Sequence, residues 1–179
     1  MKKPNFLYCI FLFALIIATS SCHRKTVPAA SSSARNNTET NNNKSYNNST
    51  EIDVSSMQQD ILFYINKHRK AAGLGELQLL NIASVEAAKH SANMAAKRTP
   101  FGHTGFEARV AAISKYLGSV SAAAENVADG KLTAQQVVDG WLHSPGHLKN
   151  IEGNYTLTGI GMARDAGGVV YFTQIFVRK

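Results

Sequence analysis

Cysteine is nearly absent from this 179-residue chain, which has two, Cys9 inside an apolar run and Cys22 just past its end. No C-x-x-C pair, no RNA-binding signature and no basic stripe interleaved with aromatics occurs, so nucleic acid is excluded as a partner. Equally missing are a G-x-S-x-G elbow, an H-E-x-x-H helix and, once a leader is removed before Cys22, any cysteine that could act as nucleophile. The apolar run from Phe6 to Ala18 falls short of the roughly 20 residues a spanning helix needs. The formal charge of +7 and pI near 9.5 come from dispersed basic residues, a balance suited to anionic envelope polymers or lipid headgroups.

What is present at the start has the layout of an export signal over residues 1–21: Lys2 and Lys3, the apolar run, then small residues up to Cys22. Cleavage before Cys22 leaves a single thiol and no internal disulfide. The segment "ATSSC" resembles the lipobox of bacterial lipoproteins, departing from it at Thr19, where Leu is usual. The resemblance implies that Cys22 becomes the lipidated N-terminus and joins the protein to a membrane, because two acyl attachments hold where one chain cannot. Plain secretion is the alternative. Residues 22–52 are rich in Ser, Asn and Thr and nearly devoid of branched apolar residues, the composition of a flexible tether that cannot offset its own ordering entropy.

Residues 53–179 are the length of one domain. Met57, Ile61, Ile65 and His68 recur at helical spacing, with Asp53 or Ser55 as cap and Gly73 near the stop. Asn81 can cap a second helix, whose face of Ala87, Ala88, Ser91, Met94 and Ala95 permits close packing. Phe106, Val110, Ile113 and Leu117 mark a third; Thr133 and Gln136, in capping-box spacing, open a fourth that buries Val137 and Trp141. After Asn154 two β-rich runs flank Asp165-Ala166-Gly167-Gly168, a hairpin signal. Helices followed by strands, without βαβ alternation, predict an α+β layer fold.

The segments "IN..R...GL..L", "A..HS..MA", "FGHTGF", "AENVA", "W..SPGHLKNI", "GIGMA" and "YFTQIF" follow in the order and approximate spacing of bacterial members of the CAP superfamily, the SCP/PR-1-like domains. The chain resembles that family from about Ile61 to Val177. The resemblance implies an α-β-α sandwich, an antiparallel sheet flanked by helices, with a cleft built from His103, Glu125 and His147. On the residues alone His147 is a turn residue, His103 a loop histidine and Glu125 a helix-end carboxylate; the family pattern makes them cleft residues. Pro145 cannot continue a helix and Gly146 has unusual backbone freedom, so the expectation is a sharp turn that presents His147. His143 and His147 are spaced i, i+4, but the intervening Pro-Gly argues against a helical metal pair. His90 and His68 read as packing or solvent-edge residues.

Two functional classes follow. The first is a lipid-anchored envelope protein that holds a small apolar molecule, lipid, glycan or envelope partner in the cleft and requires no cofactor. The second is a hydrolase of peptides or cell-wall material in which His103 and His147 hold Zn²⁺ and Glu125 is the general base. Other branches of the family place a second carboxylate shortly after the helical tryptophan, whereas Trp141 here is followed by Leu-His-Ser. Enzymatic activity is therefore left open.

Overall fold

Asp53 opens the first helix by accepting a hydrogen bond from the Ser56 backbone N–H at 3.1 Å, which satisfies one of the donors every helix leaves free at its start. The computed structural model describes residues 53–179; the leader, the tether and Cys22 lie outside them. Helix α1 spans Val54–Ala71 and ends where Gly73 takes a left-handed φ of 73°. A two-residue strand β1, Gln78–Leu79, leads into α2, Asn81–Ala95. Leu80 occupies the cap position with no side-chain bond, so Asn81 is the first helical residue and not the cap that its chemistry suggested. Helix α3, Phe106–Leu117, follows, and then strand β2, Ala122–Gly130, where Val127 is the one β-branched residue and there is no aromatic to announce a strand. Helix α4, Ala134–Leu142, begins with the predicted Thr133–Gln136 capping box, both reciprocal bonds being formed.

Around Pro145 the structure corrects the expected turn. Pro145 is the first residue of a separate helix α5, Pro145–Ile151, where a proline's missing N–H costs nothing and its fixed φ suits the helix. The change of direction falls on Ser144, which is extended at φ −106° and ψ 116°. Gly146 sits inside α5 without a positive φ, so its conformational freedom is not what places His147.

Strands β3, Leu157–Arg164, and β4, Val170–Arg178, form the predicted hairpin, with the Asp165 carboxylate accepting from the N–H groups of Gly167 and Val169 at 2.9 Å each. The sheet runs β1-β3-β4-β2. Its long pairs are antiparallel, while short β1 adds a parallel pair with β3 at the far edge. Alternation along the strands divides the core between two layers. Ile160, Met162, Phe172 and Phe176 pack with Ile61 and Ile65 of α1 and Val137, Val138 and Trp141 of α4. Ile175 and Val177 point the opposite way, onto Ala83 and Ala87 of α2 and Ile113 of α3. The result is an α-β-α sandwich with helices on both faces.

Arg69 ties α1 to the start of β3. It is 3% exposed and donates to the backbone carbonyls of Gly75, Ile151, Gly153 and Tyr155 at 2.6–3.1 Å. Burial lowers the pKa of this guanidinium from its ordinary value.

Candidate functional site

Strand β2 lies at the edge of the sheet, and side chains from α4 and α5 reach its open side. The carbonyls of Glu125 and Val127 face outward there; Asn150 of α5 donates to the first at 3.2 Å and the Trp141 indole to the second at 3.2 Å. Side chains thus cover an edge that would otherwise invite pairing with another strand. Glu125 is registered opposite Ile175 and is met from the α3 side; Asn126, one residue on, is met from the α5 side. One edge strand therefore supplies polar groups to both layers.

The Glu125 side chain is 2% exposed and each of its oxygens has a hydrogen-bond partner. Arg109, from the buried stripe of α3, donates through Nε to Oε2 and through Nη2 to Oε1, both at 2.8 Å, the two-pronged geometry that suits guanidinium to carboxylate. His103 Nδ1 lies 2.9 Å from the same Oε1. The remaining guanidinium donors hold the His103 loop itself: Nη1 reaches the Thr104 carbonyl at 2.9 Å and Nη2 the His103 carbonyl at 3.4 Å. Because the carboxylate is ion-paired it accepts only, so His103 donates from Nδ1, and in the neutral form of the ring Nε2 is then the acceptor. The His103 side chain is 52% exposed, so the ring reaches solvent.

His147 is tied in from the other layer. Its carbonyl accepts from Asn126 Nδ2 at 3.2 Å, and Asn150 bridges the Asn126 side chain at 2.9 Å to the Glu125 carbonyl. The ring is half-buried, and its pKa is pushed down first by burial and then by the nearby His103. His103 and Glu125 are thus in direct contact, while His147 is coupled to them through the β2 edge. His143 caps the end of α4, its Nδ1 bonded to the Asp139 carbonyl.

Two residues central to this geometry lie outside the expected trio. Arg109 occupies a buried helical position on the stripe of Phe106 and Ile113, and an arginine there is the signal that finds it. His90, 2% exposed on α2, holds Gly102 next to His103 through a 2.7 Å bond from Nε2 to the carbonyl. Burial lowers its pKa most; the Gly102 bond opposes this, the Arg109 charge adds to it, Glu125 opposes it and His103 adds to it.

The donor set does not fit a zinc ion held by His103, His147 and Glu125. Both carboxylate oxygens already serve a buried guanidinium, and a cation drawn to Glu125 would meet the positive charge of Arg109. Among the described residues no group of three His, Cys, Asp or Glu side chains is arranged to hold a metal.

The model of the CAP family, described as the cysteine-rich secretory protein family, matches residues 62–176. Protein YkwD of Bacillus subtilis (strain 168), described as uncharacterized, is 31% identical over 138 residues, covering 73% of this chain and 51% of the relative. The match thus spans about half that relative's length. An outer surface protein of Borrelia burgdorferi shares the fold at a TM-score of 0.61 and 22% identity, over 72% of this chain and 96% of that one. An extracellular SCP-domain protein of Bacillus anthracis str. Ames follows at 0.59 and 25%, over 70% of this chain and 41% of that one.

Proposed function

Because the chain belongs to the CAP family, the cysteine-rich secretory protein family, we propose that it is an exported cell-envelope protein, anchored through lipid on Cys22, whose CAP domain binds a small molecule, lipid or envelope partner in the His103–Glu125–His147 cleft. The outer-surface and extracellular descriptions of two structural relatives support the export reading. The observation that carries binding over hydrolysis is the state of Glu125. A general base needs a free carboxylate oxygen within reach of the attacking water. Here both oxygens are engaged by Arg109 and His103, and the side chain is 2% exposed. The carboxylate serves instead to fix the tautomer and direction of the His103 ring, the role of an orienting group in a recognition site.

The test is mass spectrometry of what co-purifies with the full chain, compared between wild type and a His103→Ala, His147→Ala double variant. A compound present in the first and depleted in the second is the expected result. Turnover of a peptide or muropeptide pool that Glu125→Gln abolishes, with no such compound, would replace binding by hydrolysis.

A further inference from the structure

We propose that Arg109 is the resident cation of this cleft: a positioning residue that neutralises Glu125, closes the site to a divalent metal and leaves His103 Nε2 as an acceptor for a ligand's hydroxyl or amide N–H. Guanidinium is a planar cation with five donors in a fixed fork, the group suited to pair with a buried carboxylate. All three of its nitrogens are engaged, in bonds to Glu125, Thr104 and His103, and the residue is 7% exposed. To coordinate a metal, Glu125 would have to abandon that fork and strand a buried positive charge beside another one. The same fork explains why the His103 loop has a defined position, since Arg109 binds the Thr104 carbonyl and the Glu125 carboxylate with one rigid plane. Gly105, at φ 79°, lets the chain enter α3 directly over the guanidinium, where an added Cβ would lie 3.5 Å from Arg109 Nη1. The donor-bearing ligand rests on the binding reading of the cleft, whereas the metal exclusion rests on Arg109 alone.

Nitrogen-15 spectra of the histidine rings in the full chain, purified in detergent, separate the two. In the wild type His103 should show the Nδ1–H form, and neither its signals nor those of His147 should move as excess Zn²⁺ is added. Arg109→Met frees the carboxylate. Both rings should then respond to Zn²⁺, with binding on the order of tenfold or more tighter than wild type, because like charges brought together at a site are strongly disfavoured. Arg109→Lys keeps the charge and should remain silent to zinc while losing part of the tautomer preference, as a single ammonium cannot replace the fork. Saturable movement of both rings in the wild type would overturn the proposal, and that titration needs no variant to fold. Failure of the ligand search with zinc still excluded would fault the binding reading and leave the role of Arg109 standing.

Discussion

At the scale of single residues, the candidate site is a set of polar groups, each held by a partner. Glu125 would be costly to bury alone, and it is tolerated because Arg109 pairs with its charge and Arg109 and His103 donate to its oxygens. The histidines behind it make stability depend on pH. Burial depresses His90 and His147, so below the ordinary histidine value of about 6.5 the unfolded chain binds more protons than the native one. Their contribution is therefore fully present above that value and is lost as pH falls through the depressed native values. Urea midpoints measured from about pH 7.5 down to about pH 5 should fall, and His90→Gln, which keeps an N–H donor for the Gly102 carbonyl, should fall less steeply. A His90→Gln profile superimposable on wild type would remove His90 from this account. His103 and Glu125 could be singled out because their motifs are local, six and five residues long, whereas the contact between them could not. Arg109 left a signal, a cation on the apolar stripe of α3, but its partner is known only when β2 is placed beneath it.

Among the elements, the tightest junction is between α2 and β3. The small residues of α2 let its backbone descend onto Gly159 and Gly161, where an added Cβ would run into the backbone of Ala83 and Ser84 in one case and of Ala87 and Ala88 in the other. Gly161→Ala should therefore destabilise the domain by about 1–3 kcal/mol or more, the usual cost of overpacking. Gly146 is the contrasting case: it lies inside α5, with an ordinary backbone and nothing within 4 Å of an added Cβ. Gly146→Ala should be neutral or stabilising by about 0.5–1 kcal/mol, the helix-propensity difference. Urea midpoints at constant m-value distinguish the two, and a large loss at Gly146 would revive the idea that its freedom shapes the turn. The small-residue face of α2 could be read from the sequence, but which strand it met could not. Strand β2 was missed for a related reason: Ala-Ala-Ala-Glu-Asn has little strand propensity, and pairing with β4 supplies what local preference lacks.

For the whole molecule, the sandwich places the candidate site at one sheet edge and the start of α1 directly after the residues read as a tether. The lipid anchor proposed at Cys22 predicts that Cys22→Ser shifts the full chain from the membrane to the soluble fraction, seen by fractionation and by loss of acyl mass; unchanged sedimentation with membranes would count against the anchor. Arg69 is the long-range brace of the domain, joining α1 to three carbonyls around the α5–β3 connection. Its place in the "IN..R...GL" segment was visible, whereas its partners, more than 80 residues away, were not. Periodicity and capping chemistry were enough to determine four of the helices, the final hairpin and the α+β class, because those signals act over a few residues and depend on local backbone bonds. Ordered motifs were enough for the family. The tertiary structure alone decided that β2 is an edge strand, that Pro145 starts a helix instead of a turn, and that a buried arginine answers the cleft glutamate. Charges and backbone polar groups must find partners when they leave water, and the partner is chosen by proximity in space, which a linear pattern does not record.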